Sequence, residues 1–395
     1  MIQGWEVKQI ARAMGFEEVG ITRLEKLSSW EARLESWLQD GRHGSMKYLE
    51  DFKARRRNLF ENFPEARSVI VLGLNYYSSE IASAQKGPRN DVVIASEAKQ
   101  SKIAGRVARY AWGKDYHSLI RKKHASLLMR LKEISGEDFK AESCVDTKPL
   151  PERFAAFQAG FGFIGKNTML LSRRFGPWLF LSEIVTNLDL EEDAIEEGSC
   201  GTCVRCQKVC PTGALDADYQ MDARLCIAYL TIEHKGVIPR ELRPKIKDWV
   251  FGCDECLTVC PFTAHQTEAQ TPELLPQSGT GEWLDFDELF GLTSNSIYEK
   301  RFEETALLRS SRKQMLRNAC IVLGNSGRRE AIPYLEKAMR EESELVRIHA
   351  AWALGRLPFT RSREILNRHR LEEPDQEVIE EIDFALKKEE FLQEN

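Results

Sequence analysis

Apolar and polar positions along the first half of the chain follow periods that predict both helices and strands. Residues 5–14, WEVKQIARAM, carry apolar side chains at helical spacing and are followed by Gly15, a residue type that commonly ends helices. Residues 68–77, SVIVLGLNYY, are apolar and β-branched without polar alternation, which is typical of a strand buried on both faces. We therefore expect an amphipathic helix and then a central strand.

Further elements are predicted before residue 190. A second amphipathic helix follows Asp115, a strand covers Glu142–Val145, and another helix begins near Glu152 after two prolines. The glycine-rich residues 160–167, GFGFIGKN, predict a turn before the strand-like residues 178–188. Because strands and helices alternate, we expect an α+β (α/β-like) N-terminal domain.

The last third of the chain has a different pattern. A polar linker near residues 266–282 leads into charged, helical sequence, in which ACIVLG at residues 319–324 recurs as AAWALG at residues 350–355. Small residues that recur at this period are typical of stacked helical hairpins of the HEAT type. The sequence therefore predicts an all-α, HEAT-like C-terminal domain.

The net charge of the chain does not by itself indicate a nucleic-acid or membrane partner. The chain has 395 residues and a formal net charge of −5, and short basic runs such as residues 55–57 are typical of solvated surfaces. The N-terminal residues carry neither a signal-like apolar segment nor a twin-arginine pair, and no stretch is apolar enough to cross a membrane. We expect a cytoplasmic monomer without a membrane partner.

Cysteine spacing is the strongest chemical signal. Eight of the ten cysteines lie between residues 200 and 260. Residues 200–211 follow the pattern C-x2-C-x2-C-x3-C-P of bacterial ferredoxins, and residues 253–261 give a shorter C-x2-C-x3-C-P. A long chain with cysteines clustered in this way favours metal binding over disulfides. We therefore predict two 4Fe-4S clusters in a bacterial ferredoxin-like module.

The cysteine before each proline is expected to bind the cluster that the other run holds. The first cluster then takes the opening triple of one run and the last cysteine of the other: Cys200, Cys203, Cys206 and Cys260. The second cluster takes the reverse set, completed by the cysteine that lies between the runs: Cys210, Cys253, Cys256 and Cys226.

Zinc is the competing interpretation, because tetrahedral thiolate sites also use C-x2-C pairs. The Cys-Pro endings and the triple C-x2-C-x2-C favour iron and sulfur. Cys144 and Cys320 lie outside the runs, in apolar segments, and are expected to be buried structural thiols. Two neighbouring clusters conduct electrons, and about 190 residues precede them, so we expect them to serve a site in the N-terminal domain.

The residues around Cys226 resemble the epoxyqueuosine reductases, the cobalamin-dependent enzymes of tRNA queuosine synthesis. The likeness covers most of the chain. Its matching segments are residues 109–117 (RYAWGKDYH), 145–153 (VDTKPLPER), 162–167 (GFIGKN), 178–183 (WLFLSE), 222–233 (DARLCIAYLTIE), 239–244 (PRELRP) and 251–256 (FGCDEC).

The resemblance implies three domains and a cofactor that no motif reveals. Residues 1–190 would bind cobalamin, residues 191–265 would hold the two clusters, and residues 266–395 would form the helical repeats. Asp146 would protonate the departing epoxide oxygen, since an alkoxide is a poor leaving group. The other implied cofactor-binding residues are Arg109, Gly165, Lys166, Asn167 and Asp254.

Each of these residues also has an ordinary structural interpretation. Asp146 at a strand end is typical of a turn or a helix cap, and Lys166 and Asn167 are typical of a turn after glycine. Arg109 suits the start of a surface helix. A lone histidine such as His117 is more often structural than catalytic.

The resemblance also implies a substrate and partners. The family reduces epoxyqueuosine, at the wobble position of tRNAs with GUN anticodons (Asp, Asn, His and Tyr), to queuosine in the final step of its synthesis. A low-potential electron donor, not identified by the sequence, would recharge cobalamin through the clusters. Exposed basic residues would contact tRNA phosphates, with His234, Lys235, Arg240, Arg243 and Arg347 as candidates.

The chain departs from the family pattern at several points. Lys148 stands where a small residue is usual, Pro151 is additional, and Asp51 replaces an expected arginine. Residues 88–101 resemble an insertion. These departures concern the cofactor contacts and leave the cysteine module unaffected.

Two other function classes are compatible with part of the sequence. A corrinoid reductive dehalogenase shares paired clusters beside cobalamin, but the absent twin-arginine pair and the helical repeats speak against it. A ferredoxin-like electron-transfer subunit would bind the two clusters but no cobalamin, and its N-terminal domain would only dock a partner.

Overall fold

The structure is a computed structural model that describes residues 2–28, 30–52, 54–55, 61, 63–79, 103–146, 148–264 and 266–387. Its strands are β1 (Glu18–Arg23), β2 (Ser68–Asn75), β3 (Ala104–Val107), β4 (Ala141–Cys144), β5 (Phe163–Ile164), β6 (Leu170–Leu171), β7 (Leu179–Thr186), β8 (Trp249–Phe251) and β9 (Trp283–Asp285). Its α-helices are α1 (Gly4–Ala13), α2 (Glu31–Gln39), α3 (Tyr116–Ser135), α4 (Glu152–Gln158), α5 (Arg205–Val209), α6 (Ile227–Ile232), α7 (Glu255–Thr258), α8 (Phe286–Gly291), α9 (Asn295–Phe302), α10 (Arg312–Ser326), α11 (Ile332–Ala338), α12 (Glu344–Leu354), α13 (Thr360–Glu372) and α14 (Gln376–Leu386). The insertion predicted at residues 88–101 lies outside the described residues.

The chain divides into two compact units. The first contains residues 1–79, 113–224 and 254–279, and the second contains residues 80–112, 225–253 and 280–395. The three-domain division made from the sequence remains a prediction. None of the described helices combines the length and the apolar character that crossing a bilayer requires.

The first unit is built on a four-stranded sheet in the order β1-β2-β7-β4, with every neighbouring pair antiparallel. All eight residues of β2 are buried, as the apolar run at residues 68–77 predicts. The antiparallel pairing makes the domain α+β, because parallel strands joined by helices are absent from this sheet.

The two faces of this sheet pack against different helices. Helix α4 covers the face that contains Val71, Cys144 and Val185, where its alanines join an apolar cluster. Helix α3 packs against β4 and β7, and its His124 accepts or donates hydrogen bonds with the hydroxyls of Ser143 at 2.7 Å and Ser182 at 3.0 Å. Burial lowers the pKa of His124 to about 4, so this histidine is a neutral structural residue.

The second unit combines a small sheet with stacked helices. Strand β3 lies between β8, which is parallel to it, and β9, which is antiparallel. The two copies of the predicted repeat lie on helices that pack against each other, with residues 319–324 in α10 and residues 350–354 in α12. The guanidinium of Arg317 on α10 is buried and donates to the carbonyl oxygens of Leu230 at 2.7 Å and Gly236 at 2.9 Å. This contact anchors the repeats to the segment before β8.

The glycines of the repeat mark the points where neighbouring helices approach most closely. A Cβ atom on Gly324 would lie 2.8 Å from the Cα atom of Ala353 in α12, and one on Gly355 would lie 2.5 Å from the Cβ atom of Ala385 in α14. Contacts this short cannot be relieved without moving a helix.

Substitution of these glycines should therefore destabilise the second unit. We expect Gly324→Ala and Gly355→Ala each to lower the free energy of unfolding by about 1–3 kcal/mol. Gly291→Ala is the matched control, because nothing lies within 4 Å of the added methyl group and alanine favours helix. Thermal and urea unfolding followed by circular dichroism would measure this, and equal stability of all three variants would contradict the packing described.

Candidate functional site

Four cysteines of the first unit surround one cavity of about 230 Å³. Cys206 lies on α5, and Cys260 follows α7 directly before a proline. The four are the set that the sequence assigns to the first cluster: Cys200, Cys203, Cys206 and Cys260. Helices α5 and α7 pack against each other and bring the two runs together.

The four thiols lie close enough to raise one another's pKa. Burial raises the pKa of Cys260, and the neighbouring Cys200, Cys206 and Cys203 raise it further. None of the ten cysteines is in a disulfide. Among the described residues, no three histidine, cysteine or acidic side chains converge as a single metal ion would need. A four-iron cluster places each thiolate on a different iron, so its ligands surround a cavity instead. The four cysteines that line this cavity have the arrangement that a cluster needs.

The glycine-rich turn supplies a wall of this cavity. The backbone N–H of Lys166 donates to the Sγ atom of Cys200 at 3.4 Å, while its Nζ atom forms an ion pair with Asp218 at 3.0 Å. Asn167 lines the same cavity and is buried. A Cβ atom on Gly165 would lie 2.6 Å from a methyl group of Leu171 and 2.7 Å from the side-chain oxygen of Asn167, so a larger residue would displace these side chains. Lys166 and Asn167, predicted as cofactor contacts, therefore lie against the first cysteine group.

The remaining predicted ligands and contacts are distributed over both units. In the first unit, Cys210 ends α5, Cys256 lies on α7, and the buried Asp254 precedes α7. In the second unit, Cys226 immediately precedes α6 and Cys253 follows β8. Arg109, also in the second unit, is buried with its guanidinium 4.7 Å from the ring centre of Trp112, not on an open surface.

Asp146 follows β4 in a backbone conformation that is rare for residues other than glycine, with φ of 54°. Its backbone N–H donates to the Oε1 atom of Glu152 at 2.6 Å. Its side chain is 48% exposed, and its Oδ2 atom lies 3.3 Å from the Nε2 atom of His117. Left-handed backbone at a non-glycine residue is enriched at functional sites. The carboxyl group is therefore both accessible and held in place.

His117 is fixed from both sides. Its Nδ1 atom lies 2.8 Å from the Oδ1 atom of Asp115, which also caps α3 by accepting from the backbone N–H of His117. Burial alone would lower the pKa of His117, but the hydrogen bonds and charges of Asp115 and Asp146 outweigh it and raise the pKa to about 9. The imidazole is therefore protonated at neutral pH, and both ring nitrogens donate.

A row of aromatic rings extends from this histidine. His117 stacks on Tyr116 at 4.0 Å, Tyr116 on Phe180 at 4.2 Å, and Phe180 lies 4.4 Å from Tyr76 between ring centres. The row joins the beginning of α3 to β7 and to the residue that follows β2. It fixes the position of the His117 ring from the side of the core.

Two further carboxyl groups lie near Asp146 in the first unit. Burial and then the charge of Asp146 raise the pKa of Glu152 to about 7. Glu183 on β7 is completely buried, and burial together with the charges of Glu152 and Asp146 raises its pKa well above the usual range. The site thus holds protons at neutral pH that isolated carboxyl groups would release.

Sequence reasoning identified Asp146 but assigned its neighbours no role. The sequence favours a structural role for His117. Glu152 and Glu183 lie in segments that match the family, but the sequence suggests no role for either. A signal for Glu183 was available, because an acidic residue stands inside the otherwise apolar strand LFLSEIVT. Cys144 and Cys320, which the sequence predicts to be buried thiols, are both buried.

Several arginines proposed as tRNA contacts are engaged inside the second unit. Arg243 has a side chain only 1% exposed and pairs with Glu381. Arg347 donates to both carboxylate oxygens of Glu373. Of the departures from the family pattern, Lys148 pairs with Glu142 on β4, and Pro151 precedes the first turn of α4, where proline is tolerated.

Three family models match the chain. A model described as "4Fe-4S double cluster binding domain" matches residues 199–263. A model described as "Epoxyqueuosine reductase QueG, DUF1730" matches residues 56–147. A model of HEAT repeats matches residues 304–387, which confirms the repeat predicted from the sequence. The chain therefore carries a double 4Fe-4S module and helical repeats.

Relatives and solved structures cover nearly the whole chain. Epoxyqueuosine reductase of Pseudomonas aeruginosa is 40% identical over 354 residues, which are 89% of this chain and 93% of the relative. The structure of epoxyqueuosine reductase from Bacillus subtilis, with its catalytic aspartate loop swung out of the active site, is 29% identical, with a TM-score of 0.84 over 97% of this chain and 98% of that one. A structure of epoxyqueuosine reductase with an epoxyqueuosine-modified tRNA-Tyr stem loop is 28% identical, with a TM-score of 0.81 over 97% of both chains. This chain belongs to the epoxyqueuosine reductase family.

Proposed function

We propose that this protein reduces epoxyqueuosine to queuosine at the wobble position of tRNAs with GUN anticodons. The observation that carries the proposal is Asp146, held beside a protonated His117 in the unit that also contains the four-cysteine cavity. The family membership and the relative bound to an epoxyqueuosine-modified stem loop support this substrate.

The reaction consumes two electrons and two protons. One carbon–oxygen bond of the epoxide breaks and its oxygen becomes a hydroxyl group; the second carbon–oxygen bond then breaks, a carbon–carbon double bond forms, and water leaves. Oxygen is a poor leaving group unless it is protonated. An acid must therefore lie beside the substrate, and a low-potential source must deliver the electrons.

Cobalamin and the two clusters, when bound, would supply the two low-potential electrons. The accessible carboxyl group of Asp146 is the described group that the resemblance implies for contact with cobalamin. Gly165, Asp254 and Arg109 remain predicted contacts of the cofactors. Residues 1–190 would form the cobalamin-binding domain, residues 191–265 the cluster domain and residues 266–395 the repeat domain.

The ligands of the two clusters follow the alternation of the Cys-Pro runs. The first cluster would take Cys200, Cys203, Cys206 and Cys260, and the second would take Cys210, Cys226, Cys253 and Cys256. The hydrogen bond from the N–H of Lys166 to Cys200 supports a thiolate there, since such bonds stabilise charge on cluster sulfurs.

Asp146 and His117 act as one acid in this proposal. The positive His117 donates to the carboxylate of Asp146 from its Nε2 atom, so the pair holds one mobile proton at neutral pH. As the first carbon–oxygen bond breaks, Asp146 delivers that proton to the oxygen. Asp115 keeps the imidazole in the orientation that this transfer requires.

The partners follow from the substrate. The proposed partner is tRNA, and an electron donor of low potential must reduce the clusters. Because tRNA is the substrate, we place the enzyme in the cytoplasm, where it would act as a monomer. The exposed part of Arg240, which also pairs with Glu381, remains a candidate phosphate contact.

Conversion of purified tRNA that carries epoxyqueuosine tests the function. The reconstituted protein with cobalamin and a chemical reductant should give queuosine, detected by nucleoside mass spectrometry. Asp146→Asn should lower the rate by about 10²–10⁴-fold, because an amide cannot donate the acidic proton. Asp138→Asn, at an exposed position after α3, should retain the wild-type rate. An intact epoxide with the wild-type protein would contradict the function.

Loss of Cys226 tests the ligand assignment. Cys226→Ala should lower the iron and sulfide content by about half, because one cluster loses a ligand while the other keeps four. Cys320→Ala is the control, since this buried thiol lies on α10 outside the cysteine runs. Equal iron content in Cys226→Ala and wild-type protein would exclude Cys226 as a required ligand.

The pH dependence of the rate tests the His117–Asp146 pair. The pKa of His117 is raised, so its charge and the stabilisation it gives are complete below about 6.5 and are lost as pH rises through about 9. The rate should therefore fall on the alkaline side near pH 9. In His117→Gln this limb should disappear and the maximal rate should drop. An unchanged profile in that variant would show that His117 does not supply the proton.

A further inference from the structure

Glu183 is a buried acidic residue that the proposed mechanism does not yet use. It lies in the middle of β7, opposite Val71 of β2 and Cys144 of β4. Its side chain is completely buried, and neither carboxyl oxygen has a hydrogen-bond partner among the described residues. Such a group costs about 1–3 kcal/mol of folding stability, so its presence in the core requires an explanation.

The surroundings of Glu183 are apolar on most sides. Alternate residues of β7 point to the same face, so Leu181 and Val185 accompany Glu183 against α4. Strand β2 contributes no charged residue. The titratable or charged side chains whose charges act in this region are Glu142, Cys144, Asp146, Lys148, Glu152, Arg153 and His117.

These neighbours leave Glu183 neutral. Glu142 and Lys148 pair with each other, and burial raises the pKa of the Cys144 thiol, so neither that pair nor the thiol compensates a negative charge on Glu183. Burial and then the negative charges of Glu152 and Asp146 raise the pKa of Glu183 well above its usual range. Glu183 therefore holds a proton at neutral pH.

Glu152 contacts the residue that carries the accessible carboxyl group, and its charge acts on Glu183. Its Oε1 atom accepts from the backbone N–H of Asp146 at 2.6 Å, so the Glu152 side chain is held against the residue that meets the substrate. Its pKa, raised to about 7 by burial and by the charge of Asp146, lets it both take up and release a proton near neutral pH.

We propose that Glu183 stores the second proton of the reaction and passes it through Glu152 to Asp146 after Asp146 has given up its own. This inference rests on the proposed function, whose two-electron reduction consumes two protons while the His117–Asp146 pair holds one. Glu183 forms a hydrogen bond to Glu152 during the reaction, directly or through a water molecule, and its proton passes to Glu152. Glu152 releases a proton to Asp146, and Asp146 gives it to the departing hydroxyl, which leaves as water. Solvent then returns one proton to Glu183 and one to the His117–Asp146 pair, and no electron moves in this transfer.

Infrared spectroscopy of the holoenzyme tests the stored proton without any turnover. A protonated carboxyl group in an apolar environment gives a carbonyl band that shifts in D2O. We expect this band at pH 7 in the wild-type protein and in the control Glu142→Gln, whose carboxylate is paired with Lys148. In Glu183→Gln the band should lose most of its intensity, because only Glu152 can still contribute to it. A band of equal intensity in Glu183→Gln would overturn the proposal.

Kinetics test the transfer itself. Glu183→Gln should lower kcat by roughly 10- to 100-fold, leave KM for the tRNA unchanged and increase the solvent deuterium isotope effect, because delivery of the second proton becomes rate-limiting. A wild-type kcat and isotope effect would contradict the inference. If the wild-type protein itself left epoxyqueuosine unreduced, the proposed function would fail, while the infrared band would still report the proton on Glu183.

Glu183→Met distinguishes a loss of proton supply from a loss of activity caused by destabilisation of the fold. Methionine fills a similar volume without polar atoms, so removal of an unsatisfied buried group should raise the melting temperature while kcat still falls. A variant that is more stable and less active is the expected result. A more stable variant with the wild-type kcat would overturn the role of Glu183 in proton supply.

Discussion

The carboxyl groups at one end of the first sheet cannot all ionise, and this constraint shapes the site. Glu183 lies in the apolar core, Glu152 is partly buried against the backbone of Asp146, and Asp146 itself reaches solvent. Each carboxyl group that ionises raises the free energy needed to ionise its neighbour. The positive His117 lies beside Asp146 and compensates one negative charge, so protons remain in the site at a pH where free carboxylates have none.

The cysteine module obeys a different constraint, set by the geometry of thiolates around a four-iron cube. Cys200, Cys203 and Cys206 can turn onto one cavity because two residues separate each pair, whereas Cys260 reaches it from the second run. The hairpin containing Gly165 lines this cavity with Lys166, Asn167 and Leu171. In the proposed reaction, this module delivers the electrons and the carboxyl groups deliver the protons that the reduction of the epoxide consumes.

Much of this could be predicted from the sequence. Apolar periodicity identified β2, β7, α3 and the repeat of α10 and α12, and cysteine spacing identified the cluster module. The order of strands could not be predicted, because periodicity shows that β2 is buried but not which strands flank it. For the same reason the partners of Asp146 were not foreseen: His117 comes from α3 and Glu152 from α4, and only the tertiary fold brings them to the end of β4. Arg243 was interpreted as a surface residue because a buried ion pair with Glu381 has no local sequence signal.

The central claim is that the site stores protons for a reductive reaction, and the protonation state of His117 tests it most directly. The chain has seven histidines, so selective 15N labelling of histidine and comparison with His117→Gln would assign the signal of this ring. Titration by nuclear magnetic resonance should show both ring nitrogens of His117 protonated through neutral pH, with a midpoint near 9. A midpoint near the ordinary value of about 6.5 would contradict the account.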